Sequence, residues 1–152
     1  DIKEFSKLLP CIRLYWTDQQ RSASIILANQ ASQAFSKLEL YKELKELAIR
    51  AYDVFTDNEN IEINELANLL KLNSSIKYSL SSGIRPSSIE TIENLLYENG
   101  ALATKLIGAG GGGFILSLFP DKATAIKSHT TIPNVALEIN FGFNGVSVVL
   151  ED

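Results

Sequence analysis

The chain of 152 residues is long enough for one domain with a hydrophobic core, and its 45% hydrophobic and 21% charged residues are ordinary for a globular protein. A net charge of −4 argues against nucleic acid as the main partner, because phosphate backbones are bound by clustered Lys and Arg. No apolar run approaches the ~18 residues of a membrane span, so no membrane partner is expected. The single cysteine, Cys11, cannot form an internal disulfide, which predicts a reducing, cytoplasmic location.

The beginning of the chain does not resemble a natural N-terminus. There is no methionine anywhere, not even at position 1, although a complete chain begins with one unless it is processed. The apolar residues Phe5, Leu8 and Leu9 also suggest that the sequence opens inside a structural element. We therefore expect residues 1–152 to form a single domain of a longer protein.

The first half of the chain predicts one strand followed by helices. Alternating β-formers predict a strand over residues 11–16. Thr17 and Gln20 have the spacing of a capping box, which predicts a helix from about residue 18 to 35. Apolar residues at helical spacing then predict helices over about residues 36–55 and 63–80.

The second half mixes helices with strands. It predicts a helix over residues 87–98, strands over 102–107 and 114–119, a short helix over 121–128 and a strand over 135–141. Asn144-Gly145 is typical of a hairpin, with residues 146–150 as the return strand. Because strands and helices do not alternate as in a parallel sheet, the expected fold is α+β: a ferredoxin-like antiparallel sheet with an added helical layer.

Five glycines in six residues, 108–113, separate two of the predicted strands. A chain accepts the entropic cost of glycine where the backbone needs positive φ or where something lies against bare main chain. Free N–H groups in such a turn favour an anion, which predicts a phosphate- or nucleotide-contacting loop made by Gly108, Ala109, Gly110, Gly111 and Gly112. The alternative is a close-packed turn between strands. The G-x-G-x-x-G spelling does not indicate a dinucleotide site, because a strand and not a helix is expected next.

A few side chains near the loop and the first predicted helix are further candidates. Lys105 could reach an anion at the glycines, although it could equally lie on an exposed strand face. Arg21 and Ser22 fall in the first turns of the helix predicted after Thr17, where free N–H groups favour phosphate or sugar. The alternative is a capped helix end in solvent. Thr17 could bond sugar hydroxyls, although Ser and Thr at helix ends are often caps. No metal site is predicted, since His129 is the only histidine and no Cys or carboxylate cluster accompanies it.

Residues 100–113, with the core KLIGAGGGG, closely resemble the third motif of the GHMP kinases. Residues 81–84 followed by a helix, the segment 21–27 and the hairpin at Asn144-Gly145 fit the same family. The resemblance covers nearly the whole chain, but only the C-terminal domain of such a kinase, and is nearest to the D-glycero-D-manno-heptose 7-phosphate kinases. The chain departs from these at Asp18 and Gln20, where they more often carry a glycine and a threonine.

The resemblance implies an enzyme that transfers the γ-phosphoryl group of ATP to a sugar or sugar phosphate, with Mg²⁺. It implies a ferredoxin-like C-terminal domain whose glycine motif lines a cleft shared with an N-terminal domain. The ATP phosphate loop and the catalytic Asp and Lys of the family belong to that other domain and are absent here. We therefore expect no catalytic residue in this chain, little or no ATP binding by the chain alone, and an exposed apolar surface that could pair two copies into a homodimer.

Two other functions remain open from the sequence. The chain could be a stand-alone ferredoxin-like module that binds a small ligand at the glycine loop and regulates another protein. It could also be a degenerate kinase domain kept for subunit contacts, although its intact glycines argue against this.

Overall fold

The computed structural model describes residues 7–20, 22–57, 62–81 and 83–139. Within these residues one antiparallel sheet contains β1 (Ile12–Trp16), β2 (Ala103–Leu106), β3 (Phe114–Leu118) and β4 (Ala136–Leu137). The strands lie side by side in the order β2-β3-β1-β4. Helices connect β1 to β2 and β3 to β4, which is the split βαβ topology of ferredoxin-like domains. The predicted α+β fold is confirmed.

Five helices accompany the sheet in the described part of the chain: α1 (Ala23–Ser32), α2 (Leu38–Asp57), α3 (Ile63–Leu80), α4 (Ser87–Glu98) and α5 (Lys122–Thr131). The apolar spacing that predicted α2, α3 and α4 is confirmed to within a few residues. The helix before β4 ends three residues later than predicted, at Thr131. Asp121 caps it, since its carboxylate accepts a hydrogen bond from the Thr124 N–H.

The sheet is covered on both faces because its side chains alternate along each strand. Ile12, Leu118 and Ala103 share one register and pack against α3. Tyr15, Ile115 and Leu106 lie three positions further along their strands and point to the opposite face. They pack against α4 and α5. Each fully buried Leu or Ile of these layers contributes ~1.5–3 kcal/mol relative to an exposed side chain.

The added helical layer is the pair α2 and α3. Leu47 and Val54 of α2 pack on Leu69 of α3, so α2 stacks on the helix that covers the sheet. This explains why a long helical block can stand between β1 and β2 without lengthening the sheet.

The helix predicted for residues 18–35 is wrong at its start. α1 begins at Ala23 with Ser22 as N-cap, so Thr17 does not cap it. Asp18 has φ of 55°, a left-handed conformation that no helix start allows. Residues 17–20 instead bond to the glycine loop, and these long-range bonds override the local capping pattern.

Part of the C-terminal prediction cannot be compared with the structure. Of the strand predicted over residues 135–141, the described residues form β4 over Ala136–Leu137. The hairpin at Asn144-Gly145 and the return strand 146–150 lie outside the described residues. No helix in the described ranges combines the length and apolar character needed to cross a membrane.

Candidate functional site

The glycine loop requires its glycines for two separate reasons. The first is conformation: φ is 88° at Gly108, 109° at Gly110, 76° at Gly111 and 96° at Gly113, values that side chains disfavour. The second is space. A Cβ on Gly110 would lie 2.7 Å from Ile84 Cγ2, and one on Gly112 would lie 2.5 Å from the Gln19 carbonyl oxygen. The loop is therefore also a close-packed turn.

Two chain segments clamp the loop by backbone hydrogen bonds. Gly111 N–H donates to Ile84 O at 2.8 Å, and Gly113 N–H donates to Gln19 O at 2.9 Å. Thr17 donates twice to Gly113 O, from its N–H at 2.9 Å and from its hydroxyl at 2.8 Å. The loop is therefore fixed before any ligand arrives, which lowers the entropic cost of binding.

Four N–H groups of the loop remain available. Among the described residues, no acceptor faces the N–H groups of Gly108, Ala109, Gly110 and Gly112. Clustered backbone donors of this kind suit a phosphate or another anion. Gly111 differs, because its N–H is already bonded to Ile84. It can therefore contribute to the conformation of the loop but not a donor to the ligand.

Lys105 lies on the sheet face that α3 covers. Its ammonium bonds the amide oxygen of Asn73 on α3, and burial together with the nearby Lys77 lowers the pKa of Lys105 to about 8. Lys77 in turn donates to the Gly108 carbonyl oxygen at 3.0 Å. The alternative of an exposed strand lysine is therefore wrong: Lys105 is half-buried beside the start of the loop.

The other predicted site residues are arranged differently. Thr17 is buried and its hydroxyl supports the loop at Gly113. Ser22 is exposed and shares a hydrogen bond with Ser24 across 2.6 Å, so no contact joins it to the loop. Arg21 lies outside the described residues. A binding role for any of the three stays a prediction.

A buried carboxylate that the sequence analysis missed supports the clamp. Glu93 is 1% exposed and accepts hydrogen bonds from the Tyr78 hydroxyl at 2.6 Å, Arg85 Nε at 2.6 Å and the Thr104 hydroxyl at 3.0 Å. Burial, and then the hydrogen bond to Glu93, raises the pKa of Tyr78 above its usual value. Arg85 follows Ile84 directly, so this network fixes the residue that packs on Gly110.

One signal in the sequence pointed to this group. Glu93 lies on the apolar stripe of α4, one turn from Ile89 and from Leu96, where a charged side chain must be buried. A buried carboxylate requires partners, so the position itself indicates a hydrogen-bond network.

A cavity of about 350 Å³ opens beside the segment that clamps the loop. It is lined by Trp16, Asp18, Pro133, Asn134 and Val135. Asn134 donates to the Trp16 carbonyl oxygen at 3.0 Å and so joins the end of β1 to the turn before β4. The cavity offers an aromatic wall and one carboxylate to a small ligand.

The described residues contain no cluster of three metal-ligating side chains. Nowhere in residues 7–20, 22–57, 62–81 and 83–139 do three His, Cys, Asp or Glu side chains lie close enough together to hold a metal ion. What the arrangement can do is contact charged ligand groups through backbone donors and two lysines.

Residues 57–129 match the family model described as GHMP kinases C terminal. The matched range contains α3, α4, β2, the glycine loop, β3 and most of α5. It therefore includes the loop, the Glu93 network and both lysines.

Two characterised relatives are kinases. The chain is 30% identical over 118 residues to the L-fucokinase/L-fucose-1-P guanylyltransferase of Bacteroides fragilis, covering 77% of this chain and 12% of that protein. It is 32% identical over 100 residues to the mevalonate kinase of Thermococcus sibiricus, covering 63% of this chain and 28% of that enzyme. The chain thus spans under a third of either relative.

Solved kinase structures share the fold. The mevalonate kinase of L. major in complex with R-mevalonate superposes with a TM-score of 0.68 at 16% identity, over 84% of this chain and 42% of that one. A D-glycero-D-manno-heptose 1-phosphate kinase from Bacteroides thetaiotaomicron gives 0.53 at 14% identity, over 91% and 35%. In both, this chain corresponds to less than half of the solved molecule.

Proposed function

We propose that the chain, whose residues 57–129 match the family model described as GHMP kinases C terminal, is the C-terminal part of an ATP-dependent kinase that phosphorylates a sugar or sugar phosphate. The observation that carries the proposal is the glycine loop, which is clamped on both sides and has four N–H groups without an acceptor among the described residues. Phosphoryl transfer requires mainly positioning and charge stabilisation, and a rigid set of donors supplies both.

The role of this chain in the reaction is to complete the cleft. The N–H groups of Gly108, Ala109, Gly110 and Gly112 would contact charged oxygens of the substrates, and the clamp would keep these donors aligned. ATP, Mg²⁺ ligands and catalytic side chains belong, in this proposal, to an N-terminal domain. The 152-residue chain alone would not transfer phosphate.

The acceptor is proposed to be a sugar, with heptose 7-phosphate as one member of the class. Supporting this are the similarity to the fucokinase relative and a cavity that presents Trp16 and Asp18, an aromatic face and a polar acceptor as carbohydrate sites use. The competing acceptor is a mevalonate-like hydroxy acid, since mevalonate kinases are equally similar.

Further parts of the proposal concern partners and location. Phe35 is 98% exposed, and Ile25 and Leu27 of α1 are also exposed, which supports a contact with the N-terminal domain or with a second copy of the chain. We also propose a cytoplasmic location, because the reaction consumes ATP and the single cysteine has no partner within the chain.

The test is an assay of ADP release by the protein encoded by the full reading frame, with sugars, sugar phosphates and mevalonate as acceptors. We expect release that depends on a sugar or sugar phosphate and falls at least 100-fold in Gly110→Val. Gly83→Ala is the matched control, since a Cβ there would meet nothing within 4 Å. ADP release with mevalonate as the only effective acceptor would show that the acceptor is a hydroxy acid and not a sugar. A protein that binds a sugar without releasing ADP would favour the stand-alone binding module.

A further inference from the structure

Two lysines meet a single stretch of backbone at the start of the glycine loop. Asn73 and Lys77 lie four residues apart and therefore on the same face of α3. Lys105, on β2, extends to Asn73, while Lys77 extends to the Gly108 carbonyl oxygen at 3.0 Å. These four residues, Asn73, Lys77, Lys105 and Gly108, form what we call the lysine groove.

The position of this groove is fixed by the fold. Ser74, next to Asn73, donates from its hydroxyl to the Thr104 carbonyl oxygen at 2.8 Å, which ties α3 to β2 at this level. Both lysines are half-buried; the contact of Lys105 with Asn73 is partly buried, whereas that of Lys77 with Gly108 is open to solvent.

The groove carries two positive charges and no negative one. The ion pairs formed among the described residues involve Arg13, Lys42 and Arg85, and neither groove lysine takes part in any of them. Cations that lose hydration are normally paired with an anion, because an unpaired buried charge is costly. Lys77 even raises the cost of charging Lys105, since it is a cause of the lowered pKa of that side chain, second to burial.

We propose that the lysine groove binds an anionic group, phosphate or carboxylate, of a ligand that lies against the glycine loop. This rests on the proposed kinase function for the identity of the ligand, but not for the existence of the site. The anion would sit beside Gly108 and draw on its free N–H together with the two ammonium groups. Where the anion belongs to the acceptor, a kinase with this groove would favour charged acceptors over neutral sugars such as L-fucose.

The direct test uses inorganic phosphate and the 152-residue chain, followed by amide chemical shifts at Gly108, Ala109 and Gly110. We expect saturable shifts that weaken at least tenfold in Lys77→Gln and in Lys105→Gln. Lys71→Gln is the control, since it removes the same charge from an exposed position on the same helix and should change the affinity less than twofold. Thermal unfolding of each variant checks that it is folded.

A second arm varies pH. Phosphate is already dianionic above about pH 7, whereas the pKa of Lys105 is about 8. The affinity of the wild-type chain should therefore fall between pH 7.5 and 9.5, and Lys105→Gln should flatten this dependence. No saturable shift, or the same loss in Lys71→Gln, overturns the site.

A third arm identifies where the anion comes from. In the protein encoded by the full reading frame, ADP, glucose 6-phosphate, mevalonate and L-fucose are compared for loss of affinity in Lys77→Gln. Loss for ADP alone assigns the groove to the nucleotide, and loss for glucose 6-phosphate or mevalonate assigns it to the acceptor. If only L-fucose binds, the anion proposal is wrong while the sugar-kinase proposal stands.

Discussion

Gly110 has both a positive φ and close contact with Ile84. Comparison with Gly108 and Gly83 separates the effects of conformation and packing on stability. A Cβ at position 108 would touch nothing within 4 Å, so Gly108→Ala introduces only the strain of a positive φ. It should lower the free energy of unfolding by about 1 kcal/mol. Gly110→Ala adds contacts of 2.7 Å and 3.1 Å to Ile84 Cγ2 and Cα and should cost about 3 kcal/mol. Gly83→Ala should stay within about 0.5 kcal/mol of wild type. Urea unfolding of the three variants checks this order, and equal losses at Gly108 and Gly110 would contradict the packing argument.

Asp18 occupies a left-handed position that a glycine would fit better. Its φ is 55°, a value that Asp tolerates and a β-branched residue does not. Asp18→Gly should leave stability within about 0.5 kcal/mol of wild type, while Asp18→Val should lose about 2 kcal/mol. Asp53 is exposed on α2, where glycine is a poorer helix former than valine. There Asp53→Gly should be less stable than Asp53→Val, the reverse of the order at Asp18. Denaturant titration of the four variants tests both orders. It also tests whether the family glycine at this position is required by conformation.

At the scale of elements, Glu93 joins α3, α4, β2 and the segment that clamps the loop. Glu93→Gln should lose about 2–3 kcal/mol, because Arg85 Nε and the two hydroxyl donors lose a charged acceptor in a buried position. Glu90→Gln is the control: Glu90 pairs with the same arginine at 2.9 Å but is mostly exposed, so its loss should stay below about 0.5 kcal/mol. Unfolding free energies of both variants at pH 7 provide the comparison. An equal loss of unfolding free energy in Glu90→Gln and Glu93→Gln would mean that burial of Glu93 does not explain its contribution to stability.

The same scale explains which elements the sequence predicts. α2 and α4 have clear apolar stripes, so local periodicity was enough to find them. The start of α1 was missed because Thr17 and Gln19 are hydrogen-bonded to Gly113, contacts that the local capping pattern cannot reveal. The Lys77 contact with Gly108 joins residues 31 apart and exists only after α3 has packed on the sheet. Glycine composition therefore predicts where the loop lies, but not which side chains surround it.

At the scale of the whole molecule, the chain has an exposed apolar surface on α1. It covers less than half of the solved kinases that share its fold. α1 contains no charged residue, and its exposed apolar side chains continue into the following turn at Phe35. A soluble domain rarely leaves such surface uncovered. The exposed apolar residues of α1 and Phe35 therefore support the proposed contact with a partner domain.

This surface makes self-association the expected behaviour of the chain alone. Leu27 is 52% and Phe35 98% exposed, and burying two such side chains in a contact would contribute about 3–5 kcal/mol before the entropic cost of association. Sedimentation at rising concentration should reveal dimers, and Leu27→Asp with Phe35→Asp should weaken them at least tenfold. Ile126→Asp with Val135→Asp changes two comparably apolar, exposed positions elsewhere and should leave the dimer intact. In the protein encoded by the full reading frame, the first pair should also reduce stability if the proposed N-terminal domain covers this surface. Monomers at all concentrations, with no effect of Phe35→Asp in the full-length protein, would mean that α1 is simply an exposed helix.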